Sequence, residues 1–223
     1  MASAGTNRGL SPGVLRDLLH FVSQPLTTLH CALENSVARD EVESSDDILL
    51  ALEQTERVIE AVRLMRDYVE AEQVGSAAAP VALTSAIDSV LEQLAVLAEA
   101  RGVRLFACGV SQTTILACDA LLQRALLYLV GALIECGPAG RAITVLIEDG
   151  ASQCVISGHS FAATSSLDCP SQCAPDSIVL RQAKIAIAQR AFESSGASVE
   201  FYSGDKPGFT IQIPRSAVNK LSA

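Results

Sequence analysis

The sequence has no tryptophan, and its 223 residues include only three tyrosines and six phenylalanines. A core so poor in aromatics must be filled by Leu, Val, Ile and Ala, which favours helix-rich layers over an all-β sandwich. Positive charge is also short: 16 Lys and Arg stand against 25 Asp and Glu, for a formal net charge of −9. Binding to a phosphate backbone needs a net basic face, so the balance excludes a nucleic-acid partner. The longest uncharged apolar run, Ala125 to Ile134, is about half of what a membrane-spanning helix requires. The opening residues, MASAGTNRGLSPG, contain no apolar stretch of the signal-peptide kind. Together these shortages predict a soluble, cytoplasmic protein with neither a nucleic-acid nor a membrane partner.

A disulfide framework is missing as well. Seven cysteines cannot pair evenly, their spacings are irregular, and a chain of this length needs no staples. They read as reduced, mostly buried thiols. A zinc site can be drawn through Cys154, His159, Cys169 and Cys173, but the spacings match no common ligand pattern. Scattered cysteines are the better reading, and no metal site is assigned.

What is present begins with Leu18 to Glu34, LLHFVSQPLTTLHCALE. Leu19, Val22, Leu26, Leu29 and Leu33 alternate spacings of three and four, giving a helix one apolar seam. The seam is of the heptad kind, suited to packing against another helix, most naturally between chains. His20 lies beside it and points away, toward solvent. The helix is expected from Pro12 to about Val37, with Pro25 removing one backbone bond and kinking the turn after His20. After an acidic turn, a second helix runs from Ser45 or Asp46 to Gln73, with apolar Ile48, Leu52, Ile59, Val62, Met65 and Val69. Such a pair forms an antiparallel hairpin that cannot bury both seams alone, so a homodimeric four-helix bundle is expected.

The remainder has a different pattern. Residues 1–11 read as a disordered leader, 12–74 as the hairpin, 75–80 (GSAAAP) as a linker, 81–214 as a compact domain and 215–223 as a tail. Within that domain the pattern predicts a helix over 85–101 closed by Gly102, strands over 103–108 and 114–117, and a helix over 120–136 capped by Asp119 and closed by Gly137-Pro138. It continues with a hairpin turning at Asp149-Gly150, a loop over 159–176, a helix over 178–194 ending before Gly196, and a last hairpin of 199–202 with 209–213. The fold class is α+β: a helical hairpin followed by a two-layer sandwich, with three helices on one face of a mixed sheet.

At this point the chain resembles the catalytic half of a bacterial sensor histidine kinase, and residues 81–214 are similar to that family's ATP-binding sandwich. The family's phosphoacceptor motif reads H-E-L-R-T-P-L. Here His20-Phe21-Val22-Ser23-Gln24-Pro25-Leu26 keeps the histidine, proline and leucine in register, and TTLHCALE continues in the family's manner. The resemblance implies that His20 is the phosphoacceptor. It also implies that a polar residue at Gln24 can orient water for dephosphorylating a receiver, and that Phe21 and Val22 offer an apolar docking surface. His30 is the rival acceptor, flanking the bundle interface and partly buried.

The departures concern ATP. In the family an acid after the histidine serves as base, and Phe21 stands there. The asparagine that helps hold magnesium is replaced at Gly131. The D-x-G-x-G run is replaced by Ser157-Gly158-His159-Ser160-Phe161, and the later glycine-rich run by VLRQAKIAI over 179–187, which has no glycine. Gly131, Gly158 and His159 thus occupy degraded nucleotide-site positions. No cofactor is expected, apart from a magnesium ion (Mg2+) supplied by a receiver-domain partner. Arg181 and Lys184, on the helix after the degraded nucleotide loop, read as solvated surface residues, and Asp176 joins no constellation. The resemblance therefore implies a histidine phosphotransferase exchanging phosphoryl groups with receiver aspartates. The alternatives are a non-catalytic scaffold that binds a receiver or kinase, and an ATP-dependent kinase with an unusual site.

Overall fold

The computed structural model describes residues 12–39, 45–71, 79–109, 113–136, 140–161, 175–203 and 206–214. The expected leader, the tail, residues 75–78 of the expected linker, Gly137-Pro138, Cys169, Cys173 and the side chain of Asp176 lie outside them. The chain forms two compact units: residues 1–67 with 174–183, and residues 68–173 with 184–223.

The first unit is built on α1 (Pro12–Arg39) and α2 (Ser45–Glu70). α1 runs unbroken through Pro25. Proline has no N–H to donate to the carbonyl four residues back. Around this gap, the hydroxyls of Ser23, Thr27 and Thr28 donate to the carbonyls of Leu19, Ser23 and Gln24 at 2.8–3.2 Å. The buried positions of α1 are Leu18, Phe21 and Pro25, one step round from the expected seam. Leu19 and Leu26 are 54% and 49% exposed. On α2, Ala61 and Leu64 are buried while Ile48, Leu52, Ile59 and Val62 stay exposed. Each helix therefore has two apolar stripes, one buried within the chain and one left open.

In the second unit a five-stranded sheet has the order β2-β4-β5-β7-β6, with β2 (Arg104–Cys108), β4 (Ala142–Asp149), β5 (Gln153–Phe161), β6 (Ser198–Tyr202) and β7 (Gly208–Pro214). Only β2 with β4 is parallel; the other pairs are antiparallel. The sheet is mixed, as the element order predicts. Ile143, Val145 and Ile147 on β4 and Cys154 and Ile156 on β5 alternate into the core, where α3 (Leu83–Ala100) and α4 (Asp119–Glu135) bury Ile87, Val90, Leu94, Leu126, Leu129 and Leu133. The fifth helix, α5 (Pro175–Ser194), contributes to both units. α3 and α5 end alike. Gly102 and Gly196 take positive φ, their N–H groups reach Glu99 and Glu193 carbonyls, and the next residues donate back to Ala98 and Phe192.

Three local expectations are corrected. The expected linker runs into a strand, β1 (Ala79–Ala82), which pairs with β3 (Thr114–Ala117) in a separate two-stranded sheet. Its Ala-Pro composition hid it. Asp119 does not cap α4 from outside; it is the first helical residue and accepts from Gln123, while Cys118 holds the cap position without a side-chain bond. β5 extends to Phe161, so His159 is a strand residue and not part of a loop.

Candidate functional site

His20 projects from α1 into solvent. Gln24, one turn further along, and Arg16, one turn before, lie on the same side of the helix and are also exposed, as is Thr27. The result is a polar, accessible face carrying one imidazole, one amide and one guanidinium. Arg16 approaches Asp17 at 3.9 Å with both side chains mostly solvated. Sequence reasoning passed over Arg16, although its spacing of four from His20 was the signal.

Other candidates fall differently. Phe21 is only 5% exposed, so its ring belongs to the interior and cannot serve as a docking surface. Val22 is half-buried. His30, expected to be partly buried, is exposed on this chain. Lys184 is not a freely solvated cation: it pairs with Glu135 at 3.5 Å in a partly buried setting. Arg181 is half-buried and also engaged.

Of the positions that the resemblance matches to a nucleotide site, only Gly158 is closed by a neighbouring side chain. Gly131 is buried in α4. Gly158 sits opposite Phe209 in the β5–β7 register, and a Cβ on it would come within 2.3 Å of the Phe209 ring. The glycine is there because the ring needs its space. His159 faces the other side of the sheet, where the Tyr202 hydroxyl lies 3.1 Å from its Nδ1. Between them in the row is Gly208, where a Cβ would strike the Tyr202 ring, so the missing side chain lets Tyr202 lean toward the histidine. Cys154 and His159 are five residues apart on one strand and so lie on opposite faces, which separates two members of the zinc constellation. Among the described residues no group of three His, Cys, Asp or Glu side chains is placed to hold a metal ion.

One buried cation was invisible in the sequence. Arg141, 3% exposed, donates to the carbonyls of Leu133 and Ile134 at the C-terminus of α4 and, at 3.2 Å, to Ser160 Oγ. Burial pushes its pKa below the usual arginine value, and the nearby Cys136 acts in the opposite direction. The side chain adds donors at a helix C-terminus, where the Leu133 carbonyl also accepts from the Cys136 N–H at 3.2 Å.

No protein-family model matches the sequence, and no curated protein matches it. Solved structures do. The histidine kinase AdeS of Acinetobacter baumannii is similar over 87% of this chain and 97% of its own, with a TM-score of 0.67 at 14% identity. The histidine kinase ThkA, in its complex with the response regulator protein TrrA, is similar over 88% of this chain and 59% of its own, with a TM-score of 0.63 at 12% identity. Full-length ShkA in complex with AMPPNP covers 90% of this chain and 47% of its own, with a TM-score of 0.59 at 15% identity. The fold is that of a histidine kinase catalytic core, a helical hairpin followed by an ATPase-like α+β sandwich. Among the described residues no helix is long and apolar enough to cross a membrane.

Proposed function

We propose that the protein is a histidine phosphotransferase, exchanging phosphoryl groups between His20 and the aspartates of receiver domains without using ATP. The observation that carries this reading is the exposed His20, with Gln24 and Arg16 on the same face of an unbroken α1, in a chain with the histidine kinase fold. Receiver domains fit as partners because a structural neighbour, ThkA, is described in complex with a response regulator.

The chemistry asks little of the hairpin. A nitrogen of His20 attacks the phosphorus of the receiver's aspartyl phosphate. A P–N bond forms as the P–O bond to the aspartate breaks, and the carboxylate leaves on the receiver; the reverse step passes the group to a second receiver. The receiver brings the magnesium ion that neutralises the transferring oxygens. In this reading Gln24, exposed one turn from His20, orients a water for the competing hydrolysis, which would give the protein phosphatase activity. ATP use is disfavoured by the side chains themselves. Phe21 is buried and cannot accept a proton, Gly131 offers no ligand for magnesium, and Gly158 is committed to Phe209.

The open stripes on α1 and α2 suit a second copy of the chain, which would complete a four-helix bundle and leave His20 at its flank. Incubation with a receiver carrying labelled aspartyl phosphate should move label to the wild-type chain and leave His20→Ala unlabelled. Label that persists in His20→Ala would sink the relay, and receiver binding without any transfer would make the protein a scaffold. Autophosphorylation from labelled ATP would restore the kinase reading.

A further inference from the structure

We propose that the second unit binds a small, uncharged ring compound carrying one hydrogen-bond donor, in a cleft bounded by β3, the start of α4 and the end of α5. This inference is independent of His20 and of the phosphotransfer reading.

The cleft has a volume of about 210 Å3. Its walls are Leu116, Leu121, Leu122, Ala125 and Phe192, so its surface is mainly apolar. An engineered apolar cavity of about 150 Å3 in another protein stays dry and takes up benzene. The present volume therefore accommodates a single substituted ring, and leaves no room for a nucleotide.

Polarity comes from one side. The Ser194 hydroxyl lies 2.7 Å from the Ala191 carbonyl and the Ser195 hydroxyl 2.7 Å from the Phe192 carbonyl, and both serines line the cleft. A carbonyl cannot donate, so each hydroxyl proton is committed to the backbone. What the two oxygens retain is acceptor capacity. A ligand here must supply the donor, as a phenolic O–H or an aromatic N–H does. Among the described residues no Asp, Glu, Lys or Arg lines the cleft. A carboxylate or ammonium would be desolvated there without a counter-charge, which is costly. Shape, volume and donor-acceptor sense thus agree on a neutral phenol-like compound.

Titration of the full chain with phenol, toluene and benzoate, followed by ligand-observed NMR, tests the assignment. Phenol is expected to bind about 3- to 10-fold more tightly than toluene, the range one neutral hydrogen bond supplies, and benzoate is expected not to bind. The double substitution Ser194→Ala with Ser195→Ala should remove the preference for phenol while toluene still binds. Leu122→Phe, which fills the cleft, should abolish both. If that variant fails to fold, slower reaction of Cys118, at the rim, with an aromatic disulfide in the presence of phenol is the second readout. Absence of phenol binding, equal affinity for phenol and toluene, or binding of benzoate as tight as phenol would each overturn the proposal.

Discussion

Arg141 and Arg124 show how differently two arginines of one unit can weigh. Arg124 pairs with Glu70 at 2.8 Å, but the two side chains are 30% and 49% exposed. Water screens such a pair, so Glu70→Ala should cost under about 1 kcal/mol. Arg141 is buried and donates to two helix-end carbonyls, of which the Leu133 carbonyl also accepts from the Cys136 N–H at 3.2 Å. Arg141→Met removes a donor from the Ile134 carbonyl and from Ser160 Oγ, while the Leu133 carbonyl keeps the Cys136 N–H, and should lower stability by about 1–3 kcal/mol, with Arg141→Lys recovering part of the loss. Urea denaturation monitored by circular dichroism separates the two predictions. Nothing in the sequence around 141 announces this role, because the carbonyls lie seven and eight residues back and no periodicity links them to a strand-leading arginine. His20 is the opposite case. Its exposure followed from its place beside an apolar seam, and the structure places it in solvent.

At the scale of elements, the five helices were legible because apolar spacing and glycine stops are strong local signals. Gly102 and Gly196 end their helices with positive φ and paired carbonyl acceptors, as their place in the pattern predicts. Strands were less legible. β1 is short and rich in Ala and Pro, and the Ser-Gly-His-Ser stretch of β5 has loop composition; both are fixed by partners distant in sequence. The stripe buried within the chain was hard to read on α1 for a related reason. Leu18-Phe21-Pro25 and Leu19-Val22-Leu26 have the same spacing, and spacing alone cannot say which one the chain buries. The exposed stripe has its own consequence. In the dimer proposed above, Leu26→Glu combined with Ile59→Glu should shift the protein to monomer with its helical content retained, as sedimentation equilibrium and circular dichroism would report. Dimers that survive the double change would remove these stripes from the interface.

For the molecule as a whole, α5 is the element that local pattern could not place. It reads as one helix of one domain, yet residues 174–183 group with the hairpin unit and residues 184–194 with the sandwich unit. A fragment beginning at residue 68 should therefore keep amide protection over 184–194 and lose it over 178–183, a boundary that hydrogen exchange with mass spectrometry can locate. Uniform protection along the helix would show that the division has no energetic meaning.

The contact between Gly158 and Phe209 bears on how this sequence can vary. The ring occupies the space where any side chain at 158 would begin, and Phe209 itself is fully buried. Neither position is then free to drift alone: a larger residue at 158 demands a smaller one at 209, and a smaller residue at 209 leaves a void that rewards a side chain at 158. In an aligned set of relatives the two columns should change together or stay fixed. A glycine at 158 would persist across such a set even in sequences with no other trace of a nucleotide-binding run, and counting it as a remnant of that run would misread a packing constraint as ancestry.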